Sequence, residues 1–92
     1  MARPTKPRKI NFDPKVKYFK PRAVPLSDLE EVVLSADELE AMRLHNAGDC
    51  NQKKCAKKMN VSASTFQRIL TSAHKKVTKA LVEGKAIKII GD

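Results

Sequence analysis

The stretch Gln52–Leu70, QKKCAKKMNVSASTFQRIL, decides how the rest of the chain is read. Its apolar positions form two helical clusters separated by a short break. Cys55, Ala56 and Met59 share one side of a first helix, and Phe66, Ile69 and Leu70 share one side of a second, each at the spacing of neighbours on a helical turn. Between them stands Asn60, which tolerates a left-handed backbone better than any residue except glycine. Val61 then fills the corner. Two helices that cross closely need a small residue at the crossing, and Ala56 supplies it. The pattern predicts a helix-turn-helix. A plain helical hairpin buried in a small bundle would show similar spacing, so the polar residues have to separate the two.

Working outward, Ser62 is a cap for the second helix, which can run over 62–83 until Gly84 ends it. At 100° per residue, Phe66, Ile69, Leu70, Ala73, Val77 and Leu81 fall on one face, and Ser64, Gln67, Arg68, Thr71 and Lys75 on the other. A polar face that is small at its N-terminal end suits insertion into a major groove. Ala63, Ser64, Gln67 and Arg68 are the candidate base contacts. Arginine matches guanine and glutamine matches adenine in bidentate geometry. Thr71 and Lys75 continue as backbone contacts. Asn51 can cap the first helix, placing Gln52, Lys53 and Lys54 in the turn that usually meets phosphate.

The charge pattern agrees. The chain of 92 residues has a formal net charge of +9, which favours a polyanionic partner. The charge is segregated: residues 1–22 carry a net +7, residues 23–49 a net −6, and residues 50–92 a net +8. Basic surfaces are therefore expected to flank an acidic one, and the acidic one should turn away from nucleic acid.

Residues 1–25 hold all five prolines, which rules out a long helix there. The opening residues read as a basic arm, with Arg3, Lys6, Arg8 and Lys9 able to track phosphates or enter a minor groove. Lys9–Phe12 is the candidate first strand, and Tyr18 and Phe19 are candidate anchors to the helical core. Further on, Ser27-Asp28-Leu29-Glu30 and Ser35-Ala36-Asp37-Glu38 both have the form of a capping box. The first predicts a helical turn or two through Val33. The second predicts a helix over about 36–46, with Leu39, Met42 and Leu44 or His45 inward and Gly48 as its stop. The tail at 85–90 alternates like a strand at Ile87 and Ile89 and could pair with Lys9–Phe12. The expected fold is mainly α: an extended basic arm over 1–25, then a helix-turn-helix domain over 26–92 with motif 52–70, and a short two-stranded ribbon joining the ends.

Several classes of activity are disfavoured. No group of serine, histidine and acid, or of metal ligands, converges in the sequence, so neither an enzyme nor a cofactor is expected. Cys50 and Cys55 match no common zinc spacing, and in a reducing compartment they are expected as free thiols. No apolar run approaches the roughly 20 residues of a membrane span. The basic N-terminus lacks the apolar stretch of a signal peptide. The expected location is the cytoplasm.

The motif and long final helix resemble the promoter-binding C-terminal region of sigma factors. Nearly the whole chain also resembles a prokaryotic family of predicted DNA-binding proteins of unknown function. The matching pieces are RPTKPRKINF at 3–12, YFKP at 18–21, PLSDLEEVVLSADELEAMRL at 25–44, STFQRIL at 64–70 and ALVEGKAIKI at 80–89. The resemblance implies a sigma-like helix-turn-helix and DNA binding. Relatives often carry longer polar residues where this chain has Ala63 and Ser64, so the target sequence does not transfer with the likeness.

The leading expectation is a DNA-binding transcriptional regulator acting on double-stranded DNA, with a homodimer on two half-sites as one arrangement. A protein-docking adaptor, for instance to RNA polymerase through the acidic 28–40 segment, is an alternative. A small basic RNA-binding protein is another. It would need solvent-facing aromatics, and most of the four aromatics in the chain are expected to be used in packing.

Overall fold

A computed structural model describes residues 8–10, 12–48 and 50–91. The elements run β1 (Tyr18–Phe19), a single 3₁₀ turn (Leu26–Asp28), β2 (Glu31–Ser35), α1 (Ala36–Met42) continuing into a wider π-type turn (Arg43–Ala47), α2 (Gln52–Met59), α3 (Ala63–Glu83) and β3 (Ala86–Ile90). The fold is thus three helices plus a three-stranded sheet, rather than a helical domain with a two-stranded ribbon.

The helices begin and end where the sequence signals stand. Asn51 accepts from the Lys54 N–H at 2.9 Å, and Ser62 accepts from the Thr65 N–H at 3.1 Å. Asn60 adopts the left-handed conformation, with φ 63°, between α2 and α3. At Gly48 a Cβ would lie 2.7 Å from the Leu44 carbonyl oxygen, so only glycine allows this close exit from the π-type turn.

Sheet order is β1-β3-β2, with β3 antiparallel to β1 and parallel to β2. Three expectations change here. Lys9–Phe12 is not a strand among its described residues; Tyr18–Phe19 pairs with Ile87–Lys88 instead. The second correction concerns residues after Ser27. That serine makes no capping hydrogen bond, the turn closes at Leu29 in extended backbone, and Glu31–Ser35 becomes a strand. Its Val32-Val33-Leu34 run fits a pleated surface, and parallel pairing with distant β3 decides the outcome. Third, Cys50 and Cys55 are joined as a disulfide. The Asn51 cap folds residue 50 back over the first turn of α2, bringing the two Cα atoms to 5.7 Å, within bridging range.

Two apolar clusters make the core. The larger packs Ala41, Leu44, Cys55, Ala56, Met59, Phe66, Ile69 and Leu70 where α1, α2 and the first half of α3 meet. The smaller joins Leu34, Ala73 and Ile89, with Leu39, Val77 and Ile87 against it. Leu81, expected on the inner face, is 75% exposed, and Ala80 is buried in its place. Beyond Ala73 the helix faces the sheet rather than α2, so its buried line runs through Val77 and Ala80.

α1 is tied to α3 by a buried carboxylate. The Ser35 capping box forms, with Ser35 N–H donating to Glu38 Oε1 at 2.9 Å. The same carboxylate accepts from the Ser72 hydroxyl and from Lys76 Nζ at 2.9 Å. Burial pushes the Glu38 carboxyl up, but donation from Ser35, Ser72 and Lys76 outweighs it and holds the group below its ordinary range. A depressed folded pKa gives stability that is complete above the unfolded value of about 4.3 and lost as pH falls through the folded value. Glu38→Gln should therefore cost about 1–3 kcal/mol at neutral pH. Urea unfolding at pH 7 and pH 3 should show a smaller pH-dependent loss in the variant than in the parent.

Candidate nucleic-acid interface

The candidate contacts of α2 and α3 are on exposed positions, and a shallow cleft between the two helices is lined by Lys53, Lys57, Val61 and Ala63. Ala63, Ser64, Gln67, Arg68, Thr71 and Lys75 are all exposed along α3. Gln52, Lys53 and Lys54 are exposed in the first turn of α2. The Ser62 hydroxyl caps α3 and lies 3.2 Å from that of Ser64, so the leading edge is a small hydroxyl cluster. Gln67 donates to Thr71 Oγ1 at 3.2 Å, and Arg68 reaches back to Thr65 Oγ1 at 3.4 Å. Both longer side chains are held along the helix surface by weak, exposed bonds that a base edge could replace.

Among the described residues, no carboxylate pairs with Lys53, Lys54, Lys57, Lys58, Arg68, Lys75 or Lys79. Most acids of the 28–40 segment are engaged elsewhere. Glu30 meets Lys85 at 3.2 Å, Glu31 accepts from the Tyr18 hydroxyl at 2.8 Å, and Asp37 meets Arg8 at 3.5 Å. Glu38 and Glu40 are buried, Glu40 against Arg43 at 2.7 Å. The acidic segment is thus largely folded into the protein's own contacts. Sequence reasoning missed that Glu38 and Glu40 turn inward, and that Lys76 and Lys85 are withdrawn from the basic surface. The signal was available in part, since Glu38 stands at the N3 position of a capping box and so faces its own helix end.

The arm is only partly described. Arg3 and Lys6 lie outside the described residues. Lys9 donates its backbone N–H to the Met59 carbonyl at 3.0 Å, which sets this segment beside the α2–α3 turn. Arg8 lines a shallow cleft of about 290 Å³ with Thr65, Arg68 and Ser72. Two of the candidate residues, Arg8 and Arg68, thus border one cleft, which Asp37 and Glu38 also line. Of the aromatics, only Phe66 is buried; Phe12 and Phe19 are roughly half exposed, contrary to the expectation that most are used in packing. Phe12 carries the Arg43 guanidinium 5.4 Å from its ring centre, which occupies one face. Among the described residues, no three histidine, cysteine or acidic side chains gather as a metal site. No described helix is long and apolar enough to cross a membrane.

The chain is similar to proteins named UPF0251 protein. It is 48% identical over 91 residues to the one from Halothermothrix orenii, covering 99% of this chain and 67% of the relative. Identity is 54% to that of Clostridium beijerinckii and 55% to that of Clostridium tetani, with 62% of each relative covered. The chain thus spans 62–67% of the length of these relatives. No solved structure matches it. A family profile described as "Protein of unknown function DUF134" matches residues 1–92, and the chain belongs to that family.

Proposed function

We propose that this protein binds duplex DNA through α2 and α3 acting as a sigma-like helix-turn-helix, and regulates transcription in the cytoplasm. The observation that carries this reading is the exposed α2–α3 surface, which keeps seven basic side chains without a carboxylate partner among the described residues while most acids of the 28–40 segment are engaged internally. In this reading α3 enters the major groove by its N-terminal half. Gln67 and Arg68 reach base edges, and the small Ala63 and Ser64 let the helix end approach closely. Gln52, Lys53, Lys54, Thr71 and Lys75 hold the phosphate backbone, and Arg3, Lys6, Arg8 and Lys9 of the arm add further phosphate contacts.

Burial weighs against docking through the acidic segment. Reversing Glu38 or Glu40 would disrupt the core rather than probe a surface. The RNA reading is weakened at Phe12 by the guanidinium already stacked on it.

The test is selection of bound sequences from random duplex DNA, repeated with Arg68→Ala. One motif should emerge for the parent, and the variant should lose preference at a single base position by about 1–3 kcal/mol. The spacing of any repeated half-site reports whether one copy or two read the site. Recovery of random sequence in both cases would remove specific readout, and tighter binding to RNA than to duplex DNA would reverse the reading.

A further inference from the structure

Cys50 and Cys55 form a disulfide at the edge of the core, and the proposed DNA contacts make no use of that bond. Their bond closes a loop with four interior residues: Asn51, Gln52, Lys53 and Lys54. These are the cap of α2 and the three residues assigned to the phosphate backbone at its first turn. We infer that Cys50–Cys55 is a reversible thiol–disulfide site whose state sets the order of this turn, and so the grip of α2 on DNA. The link to DNA rests on the function proposed above.

The two sulfurs are unequally accessible. Cys55 is completely buried against Ala56, Met59 and Phe66, whereas Cys50 is half-buried at the rim. A reductant therefore enters at Cys50. The co-reactant is a dithiol: one of its thiolates attacks Cys50 Sγ, the Cys50–Cys55 bond breaks, and Cys55 leaves as a thiolate that takes a proton. The second thiol of the reductant then attacks the mixed disulfide, forming the reductant's own disulfide and releasing Cys50 as a thiol. One disulfide is reduced and two thiols are oxidised, with no net proton change.

The fold accommodates the product. Cys50 Sγ lies 3.1 Å from the Leu44 carbonyl oxygen and Cys55 Sγ 3.3 Å from that of Cys50. Each thiol, once formed, can donate to a carbonyl already in place. The core around Cys55 and these two sulfur–carbonyl contacts remain without the bond, so the reduced chain stays folded while the Asn51 cap loses its covalent support. What it loses is the covalent tie across the turn, and ordering Gln52, Lys53 and Lys54 then falls on DNA binding itself.

Hydrogen exchange and duplex affinity, measured on oxidised protein and after reduction with dithiothreitol, test the inference together. Reduction should reveal two thiols, speed exchange of the Lys54 and Cys55 amides, which donate to Asn51, and weaken duplex binding about fivefold. Cys50→Ser should behave as the reduced form and ignore the reductant. Two free thiols after equilibration with oxidised glutathione would overturn the site. Equal exchange in both states would overturn it too, as would equal affinity in protein that does bind DNA. If neither state binds duplex DNA while exchange still differs, the DNA reading fails and the thiol site stands.

Discussion

Phe66→Ala is expected to lower the unfolding free energy by about 3–5 kcal/mol. The ring is fully buried at the junction of α1, α2 and α3, and His45 meets it edge-on with ring centres 6.3 Å apart. Removing it leaves a cavity that touches every helix at once. Against a total stability of about 5–15 kcal/mol for a domain, the loss corresponds to a fall in melting temperature of roughly 15 °C or more. Leu81→Ala, on the same helix, should change stability by less than about 0.5 kcal/mol, because that side chain is 75% exposed. Thermal unfolding of the two variants side by side checks the packing. Equal losses would mean that α3 is rotated from the face described.

That contrast also shows where the sequence could be read and where it could not. Residues 52–70 were legible because caps, turn and apolar spacing are local and agree with one another: Asn51, Asn60, Ser62 and Gly84 all act as their chemistry suggests. Leu81 was misplaced because helical periodicity identifies a buried face only while the neighbour stays the same, and α3 changes neighbour from α2 to the sheet. Glu31–Ser35 was misread for a related reason. Ser27 and Glu30 have the letters of a capping box, but pairing with β3, more than fifty residues later, overrides a local signal. The strand partner of the tail was sought at Lys9–Phe12 and found at Tyr18–Phe19, because alternating apolar residues do not specify a mate.

For the candidate site, the exposed positions of α2 and of the first half of α3 were legible, since there the neighbour stays the same and exposure follows the helical pattern. The internal use of the acids was not. Charge blocks along the sequence say which signs are abundant, but not which groups turn inward. Glu38 and Glu40 became core residues because Ser72, Lys76 and Arg43 meet them there. The Cys50–Cys55 bond was equally out of reach, as it depends on how the Asn51 cap folds the preceding residue back.

The other large effect concerns salt. If Lys53, Lys54 and Lys75 contact phosphates together with Arg3, Lys6, Lys9 and an Arg8 released from Asp37, about seven phosphates are neutralised. The logarithm of affinity should then fall with the logarithm of salt at a slope of roughly −6, a loss of about 10³–10⁴ between 50 and 200 mM. Were the arm to take no part, only three lysines would count and the slope would be near −3. Arg8→Ala and Lys9→Ala together should accordingly flatten the slope by about 2, while Arg68→Ala, if it reads a base, should leave the slope nearly unchanged and change the preferred sequence.

The central claim, that the α2–α3 surface and the arm grip duplex DNA, is tested most directly by measuring duplex affinity across that salt range. A straight log–log line with a slope near −6 is expected for the parent, flattened toward −4 by the double arm substitution. Absence of duplex binding at 50 mM salt, or an affinity unchanged up to 200 mM, would contradict it.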